Sequence, residues 1–273
     1  SGIIEQGTKK GKKVVLNPLI TCGQCNFCES GREHLCGKRI LLGMNRPIER
    51  QGGFAELVSI PDKNIYELPN NLDIKKAPIA EPTAVALHAV ELGEEALKKP
   101  LNKTKVLIIG GGAIGLLCGL ILEKYKKSNE IILVDPNEKR LKACKSHLNS
   151  KTLQPDNSLI KDNYFDIVFD TVGLEITRQN SIKSVNPGGV IIHIGLTQPS
   201  GTFNFRKATL QEITFIGTYC YTNEDFEKTL NLLSNKVLGS LNWIEYREMN
   251  KGAEAFKQIH DGTCSTPKII LIP

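Results

Sequence analysis

The sequence predicts an α/β protein organised around a doubly wound parallel sheet, and three observations carry that prediction. Lys105 to Asp135 reads strand, glycine turn, helix, strand, acid, in that order. The strand candidates that follow, Asp166–Thr171, Val190–Ile194 and Ile213–Gly217, are almost continuously apolar, as strands covered on both faces are. Segments of helical spacing separate them, the alternation that a parallel sheet requires.

At 273 residues the chain has room for about two domains of ~100–200 residues each. A hydrophobic content of 40% and a charged content of 23% are those of an ordinary globular chain. The formal charge of +6 comes from lysines scattered among acids, and its densest run, Lys9 to Lys13, reads as a solvated turn and not as a nucleic-acid patch. No secretory signal opens the sequence. Eight cysteines, four of them clustered, suit metal binding in a reducing compartment better than a disulfide scaffold. A cytoplasmic protein is expected.

Taken in order, SGIIEQG enters as if mid-strand, so a preceding segment is expected. Lys13–Leu16 is a short β-prone run. Cys22, Cys25, Cys28 and Cys36 follow at C-x2-C-x2-C-x7-C, a spacing that wraps four thiolates around one ion. Zinc is favoured over an iron–sulfur cluster, whose familiar run places its fourth cysteine after three residues and before a proline. Four cysteines leave no open position, so the zinc is structural. His34, inside the lobe, reads as a surface imidazole. Gln51–Ile60 reads as a glycine turn feeding a strand, and Ile65–Leu68 as another strand. Pro78 and Pro82 interrupt a helical start at Asp73, before a longer helix from Thr83 to Leu97. Glu81 precedes that helix as a cap or solvated charge, and His88 on it reads as packed.

The glycine turn is the most informative stretch. Gly110, Gly112 and Gly115 occupy the fixed positions of G-x-G-x-x-G in a Rossmann unit: a tight turn, a close approach for pyrophosphate, and helix packing on strand. The helix N-terminus offers its free N–H groups and positive dipole end to the phosphates. Asp135, at the tip of the second strand, can accept both hydroxyls of an adenosine ribose and repel a 2′-phosphate, which favours NAD over NADP. Arg140 lies close behind it. A transmembrane reading of the uncharged run Val106–Leu122 fails, because the run is at the short edge of the ~20 residues needed and its glycines bunch where a turn belongs.

Beyond Asp135, Glu138–Leu148 reads as a helix with Cys144, like Cys118, a small buried hydrophobe. The strand from Asp166 ends in Thr-Val-Gly. A helix to Val185 leads through Asn-Pro-Gly-Gly into the strand that carries His193 and stops at Gly195. Asn223–Ser234 and Ala253–Ile259 read as helices and Lys268–Ile272 as a last strand. Cys220 and Cys264 have no partners at metal spacing.

SGII, VVLNP, the cysteine lobe with SGREHLC, GGFAE, NIYELP, EPTAVALHAV, GGGAIGLL, VNPGGVIIHIGL and KIILIP together resemble the zinc-dependent medium-chain dehydrogenase family, in its polyol and threonine dehydrogenase branch. The resemblance spans nearly the whole chain. It implies a discontinuous GroES-like catalytic domain at 1–83 and 221–273, with a zinc lobe at 20–38, and a Rossmann NAD-binding domain at 84–220. Its cofactor set would be Gly110, Gly112, Ile114, Gly115, Asp135, Arg140, Val172, Gly195 and Leu196, the last two in a loop facing the nicotinamide. The family's catalytic zinc is held by a cysteine and a Gly-His-Glu that would stand before Ser1, together with the glutamate matched by Glu81. By this resemblance the chain is an N-terminally truncated enzyme that should bind the catalytic metal poorly, with Glu81 raised from cap to catalytic residue and zinc ligand.

The expected activity is a zinc-dependent, NAD-linked oxidation of a secondary alcohol in a polyol, sugar alcohol or amino alcohol by a homodimer or homotetramer. In the intact enzyme zinc would act as a Lewis acid on the substrate oxygen. The alternative is a catalytically inactive NAD-binding sensor or structural protein. A nucleic-acid-binding zinc module is disfavoured, since Phe27 is the one aromatic in the lobe and basic residues do not cluster there beyond Lys38 and Arg39. No membrane partner is expected.

Overall fold

The computed structural model describes residues 1–44, 50–97 and 99–273. Its backbone divides into two units: Ser1–Ala84 with Tyr219–His260 and Ile269–Pro273, and Val85–Thr218 with Asp261–Lys268.

The first unit is built from short strands. β1 (Gly2–Ile3), β2 (Lys13–Leu16) and a later β5 (Ile65–Glu67) form an antiparallel sheet, and β3 (Leu19–Ile20) pairs with β4 (Ile40–Leu41). Val14 and Val15 point inward, and buried Asn64 ties two segments by donating to the carbonyls of Asn17 at 2.9 Å and Leu19 at 2.8 Å. The single-turn helix α1 (Asn26–Glu29) lies between β3 and β4 and buries none of its residues. Gln51–Ile60 departs from the sequence reading. It forms no strand, and Phe54 and Leu57 are exposed, because no strand among the described residues offers it a ladder.

α2 (Ala80–Leu97) begins earlier than its prolines suggest. Pro82 falls within the first turn, where a missing N–H costs no helical hydrogen bond. Gly93 lets this helix lie on the sheet, since a Cβ there would come within 2.5 Å of Ile167.

The second unit runs β6 (Lys105–Ile109), α3 (Ala113–Leu120), β7 (Glu130–Val134), α4 (Glu138–Lys145), β8 (Lys151–Leu153), β9 (Phe165–Asp170), α5 (Glu175–Ser184), β10 (Val185–His193), α6 (Phe205–Leu210) and β11 (Thr214–Gly217). The six parallel strands are ordered β11-β10-β9-β6-β7-β8, so the strand order reverses between β6 and β9. Val106 to Ile108 and Ile167 to Phe169 are almost fully buried, which explains their unbroken apolar runs. Each such side chain contributes about 1.5–3 kcal/mol by leaving water. β10 starts sooner than its apolar core, at Val185, and accommodates Asn-Pro-Gly-Gly as an irregularity between Val185 and Val190. The chain finishes with α7 (Asn223–Ser234), β12 (Ile244–Glu248), α8 (Gly252–His260) and β13 (Lys268–Ile272). The run Val106–Leu122 is divided into strand, turn and helix, and no helix of the described residues is long and apolar enough to cross a membrane.

Candidate dinucleotide site and cysteine lobe

β6 delivers the chain to Gly110, whose φ of +108° is a conformation L side chains rarely adopt. A Cβ at Gly115 would sit 1.8 Å from the Gly110 carbonyl oxygen, so helix and turn touch through backbone alone. At Gly112 nothing lies within 4 Å of the same construction, which leaves that face open for a ligand. Gly112 caps α3 and Ile114 is half-buried in its first turn.

Asp135 lies beyond the end of β7 and is buried, 3% exposed. Its Oδ2 accepts from the Gly111 N–H at 2.7 Å and its Oδ1 from the Asn137 N–H at 2.7 Å. Asn137 caps α4 by accepting from Lys139 N–H and Arg140 N–H, which sets Arg140 so that Nη1 stands 3.9 Å from Asp135 Oδ2. The carboxylate therefore braces the glycine loop, and each of its oxygens has a further lone pair to offer. Cys144 lies behind the loop, its Sγ 3.5 Å from the Gly111 carbonyl, and burial pushes its thiol up to about 12.

Val172, Gly195 and Leu196 come to the same end of the sheet. Thr171 Oγ1 donates to the Ile109 carbonyl at 2.8 Å, joining the loop after β9 to the glycine turn. Gly173, at φ +74°, meets Gly195 so closely that a Cβ on either would fall within about 2 Å of the other loop's backbone. Leu196 is exposed on the far side of that contact. Sequence reasoning missed three contributors: the Gly111 N–H, the Asn137 cap and Asp170. Only the cap had a local signal, an asparagine just before a helical run.

In the first unit the four cysteine sulfurs all lie within 4.8 Å of one another. Tetrahedral zinc at a Zn–S distance of about 2.3 Å sets sulfurs about 3.8 Å apart. The observed separations are 3.8 Å for Cys22–Cys28, 3.6 Å for Cys25–Cys28 and 3.5 Å for Cys36–Cys22. The Lys38 N–H points at Cys36 Sγ from 3.4 Å, and a bound divalent cation would keep all four thiols deprotonated. The donor set fits a closed structural zinc. His34 is not on the surface: it is buried, 6% exposed, beside Glu33, whose carboxylate accepts from the Asn223 N–H. A charged sequence context concealed that burial.

Glu81 sits in the first turn of α2, half-buried. Its charge adds to burial in raising the Cys220 thiol, to about 11, and the Tyr221 phenol. Among the described residues, the four cysteines of the lobe form the one group of three or more metal-ligating side chains. Among the described residues, Glu81 belongs to no such group. His88 is buried, as expected.

The zinc-binding dehydrogenase family matches residues 113–235, and the alcohol dehydrogenase GroES-like domain matches residues 1–70. A probable D-xylulose reductase A of Neosartorya fischeri is 28% identical, over 96% of this chain and 76% of that protein. Among solved structures, L-idonate 5-dehydrogenase of Escherichia coli superposes with a TM-score of 0.85 at 25% identity, covering 97% of this chain and 76% of that one. A zinc-type alcohol dehydrogenase-like protein of Haemophilus influenzae is 30% identical, over 88% of this chain and 70% of its own length. On that identity and coverage, the chain belongs to the zinc-type alcohol dehydrogenase family.

Proposed function

We propose that the chain is the cofactor-binding and structural-zinc-bearing part of an NAD-linked dehydrogenase acting on secondary alcohols of polyols, sugar alcohols or amino alcohols. The observation that carries this reading is the buried Asp135 carboxylate, held against Gly111 at the edge of a glycine turn whose open face is at Gly112. Pyrophosphate would lie on the N–H groups that begin α3. The ribose would take the remaining acceptor capacity of Asp135, and a 2′-phosphate there would meet a fixed negative charge, which supports NAD over NADP. Relatives that reduce D-xylulose or oxidise L-idonate support a polyol-like substrate.

In the forward reaction the carbinol C–H bond breaks and its hydride forms a new C–H bond on the nicotinamide. The hydroxyl loses its proton, so that NAD+ and alcohol give NADH, ketone and one proton. Among the described residues, no group of three or more metal-ligating side chains stands outside the cysteine lobe. What this chain contributes is position: the glycine turn, Val172, Gly195 and Leu196 hold the cofactor for transfer. A homodimer or homotetramer in the cytoplasm is the setting we propose.

Calorimetric titration of the chain with NADH and NADPH tests the reading. We expect NADH to bind at least about tenfold tighter, the margin of one charge-assisted contact; equal or reversed affinities would overturn the NAD assignment. A zinc-supplemented turnover screen over polyols, sugar alcohols and threonine then separates the enzyme from an NAD-binding sensor. NADH binding with no turnover on any of them would support the sensor.

A further inference from the structure

We propose that Asp170 is a positioning residue for the nicotinamide side of the cofactor, acting from beneath the two loops that receive it. The proposal rests on the NAD-linked reading above. In a doubly wound sheet a dinucleotide spans both halves of the strand order, outside the carboxyl ends of the strands. The glycine turn and Asp135 belong to β6 and β7, so the second nucleotide falls on the loops after β9 and β10.

Asp170 is the last residue of β9, and it is fully buried. Its Oδ1 accepts from the Val172 N–H at 3.0 Å and the Gly173 N–H at 2.9 Å, and its Oδ2 from Thr177 Oγ1 at 3.0 Å. Its main-chain carbonyl accepts from the Ile194 N–H at 2.9 Å and the Gly195 N–H at 3.1 Å. One residue therefore fixes four amide groups, two in each loop. The loops are joined again further out, where Thr197 Oγ1 donates to the Val172 carbonyl at 2.6 Å and the Gln198 N–H to the Gly173 carbonyl at 2.9 Å.

A carboxylate in this position runs against the chemistry of the strand. Ile167, Val168 and Phe169 before it are fully buried and apolar. Taking a charge out of water is costly unless hydrogen bonds replace the lost hydration. Here the side-chain replacements are the two loop amides and a hydroxyl at the start of α5. A core residue chosen for packing would be apolar; a carboxylate gives the loop one geometry at the expense of stability. Asp170 touches no ligand position itself and works through Val172, Gly173 and Gly195.

The test compares the wild-type chain with Asp170→Asn, measuring affinity for NADH and for ADP-ribose, which lacks the nicotinamide. The spectroscopic readout is the fluorescence of bound NADH. Asp170→Asn is expected to weaken NADH about tenfold, as for hydrogen bonds to a charged group, and to reduce its fluorescence enhancement. ADP-ribose affinity should stay within about twofold, because its contacts lie on β6 and β7. Equal weakening of both ligands, or of neither, would overturn the positioning role while leaving the NAD reading intact. A wild-type chain that binds neither ligand would overturn the NAD reading and this proposal with it. Should Asp170→Asn fail to fold, Thr177→Val removes the hydroxyl donor to Oδ2, together with that hydroxyl's bonds to Leu174 at the start of α5, and a selective loss of NADH affinity of about threefold is expected. No selective loss in that variant would overturn the proposal.

Discussion

Residues 22–36 and residues 110–115 both hold a short irregular backbone in one shape, and they do so by different means. In the cysteine lobe only Cys36 among the four ligands is buried, and α1 buries nothing. Its shape is set by sulfurs 3.5–3.8 Å apart and so by whatever ion they enclose. The glycine turn sits on strands that are almost fully buried, and its shape follows from close backbone contact at Gly110 and Gly115. A metal-held loop can fail locally while the rest stays folded; a packing-held loop cannot change without disturbing the sheet beneath it.

The largest effect should come from removing the metal. Structural zinc supplies apparent binding energies of about 10 kcal/mol or more. Chelation, or Cys36→Ser, is expected to take zinc from one per chain to none and to open the lobe to protease between Cys22 and Cys36. NADH affinity should change by less than about twofold, and a parallel collapse of cofactor binding would mean that the two regions are not independent.

Next comes a paired test within the glycine turn. Gly115→Ala places a methyl group against the Gly110 carbonyl and should cost about 3 kcal/mol, the upper range for overpacking. In a thermal melt this corresponds to a fall of about 10 °C. Gly112→Ala meets no atom within 4 Å, so the melting temperature should hold while NADH binding weakens. If both variants melt alike, the division of labour among the glycines is wrong.

Asp135→Asn keeps an acceptor for the Gly111 N–H but removes the charge. The preference for NADH over NADPH should narrow by about tenfold, read from the ratio of the two dissociation constants. An unchanged ratio would leave Asp135 as a brace for the loop alone.

The smallest effect concerns acid stability. Burial holds the His193 imidazole below its ordinary value of 6.5, opposed by the Asp170 carboxylate and reinforced by Arg178. Its Nε2 stands 3.8 Å from Asp170 Oδ2, and its ring lies 5.5 Å from that of Phe215. Well above pH 6.5 neither folded nor unfolded chain carries a proton there, and the group has no effect. As pH falls below 6.5 the unfolded chain takes up the proton first, so folding stability declines until the folded imidazole titrates too. His193→Gln should flatten that shallow decline in melts run from pH 7 to pH 5.

Much of this was legible in the sequence, because periodicity and glycine spacing are local signals. Asn223–Ser234 and Lys268–Ile272 begin and end where their patterns do. The failures were non-local. Gln51–Ile60 has the composition of a strand, yet a strand needs a neighbour and none among the described residues pairs with it. His34 and Glu33 sit among charged residues and are buried because distant Asn223 packs there. Asp170 reads as a polar full stop after an apolar run. Its role emerges only when β10 is laid beside β9, with His193 opposite Asp170.

The contact between Gly173 and Gly195 has a consequence for redesign. Each glycine occupies the space that a methyl group on the other would claim, so neither site tolerates a substitution made alone. Libraries intended to alter cofactor or substrate choice on this side should hold both positions constant and vary Leu196, whose side chain is free in solvent. A search that randomises the whole loop would spend most of its members on chains that cannot close.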